Sequence, residues 1–208
     1  MLIFERMKPS EWKECAALSA RAFYDYEYFA AYVTEDERRH RFLDALLRCE
    51  FKANKNLPTV HFITAKENGR IVAVGQLCAP DFKKPGDWAY VCAGWLGVLR
   101  CGGSKDVNAW NAMEPQASAP CHALHGNTWY LSLLTVALSE EGKGIGSRFV
   151  QEGLLPYARE HGAKAVSLFT NSESNRRFYL KNGFEVFDER RFEHNGREFG
   201  SWSFIQRF

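Results

Sequence analysis

The sequence predicts an α/β fold, a mixed sheet of about seven strands interleaved with helices. Three observations carry that reading. β-branched and aromatic runs alternate along the chain with stretches of helical periodicity. Two Asn-Gly pairs, Asn68-Gly69 and Asn195-Gly196, mark tight hairpins, because both central positions of a type I′ turn need φ above zero. A glycine-rich stretch, Gly142-Lys-Gly-Ile-Gly146, joins a strong strand candidate to a helical pattern.

Taken in order, Leu2 to Arg6 reads as a short strand. Ser10 is the expected N-cap of a helix that puts Trp12, Cys15, Ala16, Ser19, Ala22 and Phe23 on one face. A run of alternating aromatics and acids follows, Tyr24-Asp25-Tyr26-Glu27-Tyr28-Phe29. Thr34 and Glu37 make a capping box for a second helix, with Phe42, Ala45, Leu46 and Cys49 on its apolar side. Its other side, with Glu35, Asp36, Arg38, Arg39 and Arg41, reads as solvated. Thr59–Ala65 and Arg70–Ala79 form a hairpin about Asn68-Gly69. Later strands are expected at Thr128–Val136, Val166–Thr170, 184–193 and 198–207, with helices reaching about His161 and running from about Ser174 to a Gly183 C-cap.

Composition narrows the function classes. The 208 residues carry 27 Lys plus Arg against 25 Asp plus Glu, a net charge of +2. That balance argues against bulk phosphate neutralisation and so against a nucleic-acid partner. No apolar stretch approaches the roughly 20 residues that span a bilayer, so no membrane association is expected. Met1-Leu-Ile-Phe-Glu5-Arg6 lacks a signal-peptide layout, and the six cysteines form no C-x-x-C pair. The expectation is a cytoplasmic protein with reduced thiols and one domain over 1–208.

The segment 80–127 stands apart. From Gly86 to Asn127 only five of 42 residues are charged. Four of the six tryptophans lie between Trp88 and Trp129. Trp88, Val91, Cys92, Trp95 and Leu99 have helical spacing. Three readings are open: a helix buried against the domain, a lid over a ligand pocket, or the surface of a homodimer.

At the glycine junction, the unpaired N–H groups of a first helical turn would face an anion. The spacing G-x-G-x-G fits neither the P-loop pattern nor G-x-G-x-x-G, so phosphate cradle and close-packed helix start stay equal at this point. A second stretch, Asn175-Arg-Arg-Phe-Tyr179-Leu-Lys-Asn-Gly183-Phe184, lies about 30 residues downstream.

Together the two stretches resemble the GNAT superfamily of N-acetyltransferases, whose acyl-CoA loop reads Q/R-x-x-G-x-G/A and whose later motif reads N-x-x-F-Y-x-x-x-G-F. Trp129-Tyr130-Leu131 and the long segment before it are also similar to the branch that includes puromycin N-acetyltransferase. The resemblance covers about 128–186, and two positions depart from it: Glu141 replaces the loop's Gln or Arg, and Leu138 replaces a proline.

The resemblance implies an acyl-CoA N-acyltransferase fold with helices on both faces of the sheet and a helical insertion before the fourth strand. It implies acetyl-CoA as co-substrate, no metal, and a small-molecule primary amine as acceptor, attacked directly in a ternary complex. By the same resemblance Leu134 and Val136 would meet the pantetheine. The stretch Glu141, Gly142, Lys143, Gly144, Ile145, Gly146 and Ser147 would hold the pyrophosphate through backbone N–H groups, with Lys143 and Arg148 adding charge. Asn175 would reach the pantetheine arm, Arg176, Arg177 or Lys181 are candidates for the ribose phosphate, and Tyr179 would be the general acid. Asp25, Glu27 and Trp129 are candidate acceptor-binding residues. The base is open among Asp25, Glu27, Glu114, His122, His125 and a water chain; His122 and His125 lack a third metal-ligand partner. A non-catalytic acyl-CoA sensor, an interaction module and a protein or peptide N-acetyltransferase are the rival readings.

Overall fold

The computed structural model describes residues 1–208. Seven strands form one sheet: β1 (Leu2–Arg6), β2 (Val60–Glu67), β3 (Arg70–Cys78), β4 (Thr128–Val136), β5 (Ala165–Thr170), β6 (Glu185–His194) and β7 (Arg197–Arg207). Their order is β1-β2-β3-β4-β5-β7-β6, and β4–β5 is the parallel pair within an otherwise antiparallel sheet. Both Asn-Gly hairpins form, with φ of 51° and 77° at Asn68-Gly69 and 52° and 72° at Asn195-Gly196.

Helices cover both faces. On one lie α1 (Trp12–Ala22), α2 (Glu27–Tyr32), α3 (Asp36–Asn54) and the insertion, around a core that includes Phe42, Leu43, Phe51 and Val74. On the other lies a continuous helical run made of α7 (Ile145–Arg148), a π-helical stretch (Phe149–Leu154) and α8 (Leu155–Glu160), followed later by α9 (Glu173–Lys181). Its core includes Phe149, Leu154, Leu168 and Phe204. With both faces covered, all of β3 after Arg70 is buried, as a two-sided core requires. No helix is long and apolar enough to cross a membrane.

Three local expectations are corrected. Ser10 does not cap α1. The N-cap is Glu11, whose carboxylate turns back to accept the Lys8 backbone N–H at 2.8 Å and also pairs with Lys66. Thr34 does not cap α3 either; Glu35 holds that position without a side-chain cap bond. Nor is Arg39 solvated. It is only 5% exposed and donates to the carbonyls of Tyr24 (2.7 Å) and Val33 (3.2 Å), while pairing with Asp36 at 2.8 Å. A guanidinium has five donors and can tie a loop to a helix in this way, which the charge pattern alone does not reveal.

The insertion folds as α4 (Asp87–Ala93), α5 (Trp95–Gly102) and α6 (Ser104–His122). The single helix expected through Trp88–Leu99 breaks at Gly94, whose φ of 125° suits only glycine. The break turns Trp88 and Leu96 outward, 77% and 65% exposed, so this stretch is not a fully buried helix. Tyr90, Val98, Val107 and Trp110 face the core instead.

The insertion docks on α3 at Gly102, where an added Cβ would lie 2.6 Å from the buried Phe42 ring and 2.5 Å from Val107. Gly102→Ala is expected to destabilise the fold by about 1–3 kcal/mol through overpacking. Urea unfolding measures this, and an unchanged midpoint would show that the insertion is not held at that contact.

Candidate functional site

The site begins with a gap in the sheet. β4 and β5 pair only at Thr128–Ala165, Trp129–Val166 and Tyr130–Ser167. Beyond Tyr130, β4 continues along β3 while β5 continues along β7, and the two strands diverge. A bulge contributes to the divergence. Gln76 faces Leu133 and Leu77 faces Leu131, leaving Ser132 as the extra residue; a bulge bends its strand and increases the local twist. The Ser132 hydroxyl donates to the Gln76 carbonyl at 3.3 Å.

At the far end of β4, Gly144 takes the left-handed conformation (φ 76°) and starts α7. The backbone N–H groups of Gly142, Gly144, Ile145, Gly146 and Ser147 make no hydrogen bond within the chain. Glu141 is exposed and its carboxylate has no polar partner. Its neighbour Glu140 is only 4% exposed and pairs with Arg70 (2.6 Å) and Lys143 (2.8 Å). The Lys143 hydrogen bond holds the Glu140 carboxyl below its ordinary range. Lys143 and Arg148, the latter paired with Glu152 at 2.9 Å, are therefore engaged within the protein. The positive character of this corner comes chiefly from main-chain N–H groups.

A cavity of about 1030 Å³ opens from the gap. Leu134, Asn171, Asn175 and Tyr179 line its gap side, and Gln76, Cys78, Tyr130 and Ser132 its floor. Tyr90, Trp95, Trp110, Glu114 and His122 of the insertion form its roof. The last wall comes from α2 and α3, with Tyr28, Phe29, Glu50 and Asn54.

On the gap side, Ser172 caps α9 by accepting the Asn175 N–H at 3.2 Å. The Tyr26 hydroxyl stands between Thr170 Oγ1 (3.1 Å) and the Asn171 N–H (3.1 Å). Burial, with a smaller contribution from Tyr26, pushes the Tyr179 phenol well above its ordinary value, so it holds its proton at neutral pH.

Other candidates from the sequence fall elsewhere. Asp25 and Glu27 are exposed and do not line the cavity. The alternating run turns its aromatic members inward, Tyr26, Tyr28 and Phe29, and leaves the acids in water. Trp129 is buried in the opposite core, beside His61 at 4.9 Å, because alternation along β4 sends it to the far face from Tyr130. Of the proposed bases, Glu114 and His122 line the cavity and His125 does not. Burial lowers the His122 pKa and favours its neutral form. Arg176 pairs with Glu173 and lies over the Trp202 ring.

Sequence reading missed Glu50. It lies one helical turn from both Leu46 and Asn54, so a charge interrupts the inward face of α3, and that was the available signal. Its carboxylate accepts from Asn54 Nδ2 (3.1 Å) and the Tyr90 hydroxyl (3.3 Å), with no ion-pair partner. Burial pushes its pKa up to about 7; the charge of Glu114 adds to this, while Lys84 and the two hydrogen bonds oppose it.

A family model described as the acetyltransferase (GNAT) family matches residues 12–184, and the chain belongs to that family. No curated protein sequence matches it. Among solved structures, a mutant of agmatine N-acetyltransferase in its apo form is similar over 100% of both chains, with TM-score 0.65 and 13% identity. A polyamine N-acetyltransferase of Drosophila melanogaster is similar over 100% of both chains, with TM-score 0.61 and 14% identity. A histone acetyltransferase HPA2 and related acetyltransferase from Corynebacterium glutamicum is similar with TM-score 0.62 and 16% identity over 97% of this chain and 94% of its own. At these identities the likeness is one of fold.

Glu50 gives a pH prediction. Its carboxyl titrates near 7 in the folded chain against an ordinary value of 4.5. Between those values the folded state keeps a proton that the unfolded state has lost, so stability falls as pH rises through the window. Glu50→Gln should exceed the wild type in stability by on the order of 2 kcal/mol at about pH 8, and by much less near pH 4. Urea unfolding at both pH values tests it; an equal difference at the two would contradict the assignment.

Proposed function

We propose that this protein moves the acetyl group of acetyl-CoA to a primary amine of a small molecule, by direct attack in a ternary complex. The observation that supports this reading is the continuity of one cavity from the β4–β5 gap to the roof formed by the insertion. Thioester and amine can meet there away from bulk water. The free N–H groups of Gly142, Gly144, Ile145, Gly146 and Ser147 suit a pyrophosphate; the N–H groups of Glu141 and Lys143 are spent on the Leu138 (3.2 Å) and Glu140 (3.4 Å) carbonyls, and the Glu141 side chain is exposed. On this reading Leu134 and Val136 offer main-chain groups to the pantetheine, and Asn175 reaches the same arm.

The chemistry asks little of the side chains. A neutral amine nitrogen attacks the thioester carbonyl carbon and the C–N bond forms. The negative charge that develops on the carbonyl oxygen is met by the Leu134 N–H. The intermediate collapses, the C–S bond breaks, and the leaving thiolate takes the Tyr179 hydroxyl proton; the proton that the attacking nitrogen sheds on becoming an amide passes to water, from which the Tyr179 phenolate is reprotonated. The Tyr179 phenol is protonated at neutral pH, as a general acid must be before the thiolate forms. The insertion serves as a lid that excludes water and selects the acceptor. Similarity to the branch that includes puromycin N-acetyltransferase, carried by Trp129-Tyr130-Leu131 and the inserted segment, is a finer reading of the same kind, again with a small-molecule acceptor.

Tyr179→Phe is expected to lower turnover by about 10²–10⁴-fold, the usual share of a general acid, while the acetyl-CoA dissociation constant stays within about threefold. Thiol release across an amine panel gives the first quantity and calorimetry the second. Undiminished turnover in the variant would remove Tyr179 from the mechanism, and tighter binding of ATP or NAD than of acetyl-CoA would remove the acyl-CoA assignment.

A further inference from the structure

The cavity contains more acceptor chemistry than one reacting amine needs. Glu50 and Glu114 line it without ion-pair partners; the other charged lining residues are both exposed, Asp87 and Lys84, the latter reaching the Tyr90 face and partly offsetting the Glu50 charge from there. Asn54 is a second and independent sign. It is 1% exposed and lines the cavity, yet its Oδ1 has no hydrogen-bond partner. Its orientation is fixed, because its Nδ2 donates to the Glu50 carbonyl at 2.9 Å and to the Glu50 carboxylate at 3.1 Å. The amide oxygen and the ionised carboxylate therefore offer neighbouring acceptors, and both donations of Asn54 Nδ2 are already used. A buried acceptor left unmatched is unfavourable, which points to a ligand group that donates.

The wall beside this pair is aromatic. The Tyr90 hydroxyl donates to Glu50, and the ammonium of Lys84 already lies 5.5 Å from the centre of the Tyr90 ring. That ring thus accepts a cation on its face, as a desolvated phenol ring does. Two half-buried carboxylates against a single exposed lysine, an orphan acceptor and an aromatic face together select a positively charged group with several N–H donors.

The position of the pair sets its role. Glu50 stands on the α3 wall of the cavity and Leu134 on its gap side. The Glu50 carboxylate is held by Asn54 and Tyr90, neither of which belongs to β4 or α9. A carboxylate held on a different wall from the strand that would present the thioester suits the far end of an aliphatic chain rather than the attacking nitrogen.

We infer that the acceptor is a dication, an amine carrying a second ammonium or guanidinium several methylenes away, with that distal group held by Glu50 and Asn54 beneath Tyr90. This rests on the reading that the amine is acetylated near Leu134 and names the acceptor class that reading leaves open. Glu114 adds longer-range attraction for the same charge, and the two carboxylates disfavour anionic acceptors.

The test compares putrescine with butylamine, which differ by the distal charge, and includes agmatine for the guanidinium case. Binding is measured by calorimetry with and without CoA, so that no transfer occurs, and KM is measured separately by thiol release from acetyl-CoA. Wild-type protein should bind putrescine or agmatine at least tenfold more tightly than butylamine. Glu50→Gln, expected to fold at least as well as the wild type, should reduce that preference to threefold or less and raise the dication KM at least tenfold, leaving the acetyl-CoA KM within about threefold. Equal binding of the diamines and butylamine by the wild type, or a preference unchanged in Glu50→Gln, would overturn the inference. If no amine releases thiol but a Glu50-dependent dication preference persists without CoA, the acetyl-transfer reading fails and the cation site stands.

Discussion

The limited pairing of β4 with β5 is the constraint on which the rest of the structure depends. Three residue pairs hold the two halves of the sheet together, after which each strand follows a different neighbour. A strand edge that leaves its partner exposes main-chain N–H and C=O groups, and such groups need a match. The bulge at Ser132 helps to keep the gap open, and α9 and the helical run from Ile145 flank it. The site is therefore a consequence of incomplete pairing. The glycine turn at 142–146, Asn175 and Tyr179 are all placed with respect to that gap.

Electrostatics divide the site into two parts with different logic. At the cradle, the cations near the loop are already neutralised: Lys143 and Arg70 pair with Glu140, and Arg148 with Glu152. Main-chain N–H groups remain, and they have fixed geometry with little entropy to lose on binding. In the acceptor cavity Glu50 and Glu114 form no ion pair, Lys84 offsets Glu50 only in part, and Glu50 bears the desolvation that raises its pKa. An anion is met by dipoles in one part, and a cation would be met by carboxylates in the other. This arrangement is consistent with a net charge close to zero over the whole chain.

What the sequence revealed and what it hid divide along the same line. The glycine turn, Ser172–Gly183 and both Asn-Gly hairpins are local. Their conformations follow from a few adjacent residues, and their neighbours in space are their neighbours in sequence. The acceptor cavity is assembled from α2, α3, β3, β4 and the insertion, so its members carry no shared spacing. The run Tyr24–Phe29 illustrates the difficulty: acids and aromatics alternate, and only the packing of α2 decides which set turns inward. Trp129 failed for a related reason, because alternation along β4 gives two faces and does not say which one meets the acceptor. Capping also misled at Ser10 and Thr34: Glu11 takes the N-cap position beside Ser10, and Arg39 holds the Thr34 carbonyl from a turn away.

The two ends of the insertion lie close together. It leaves β3 after Cys78 and returns on β4 before Tyr130, and those two residues are cross-strand partners. A segment whose ends are already juxtaposed can change in length with a small change in closure entropy, since that cost grows only with the logarithm of length. The roof is thus an exchangeable part. A lineage could shorten it to a hairpin or replace it with a different set of helices without disturbing the β4–β5 gap or the N–H cradle. Acceptor choice and acetyl chemistry are carried by pieces of chain that can diverge at separate rates.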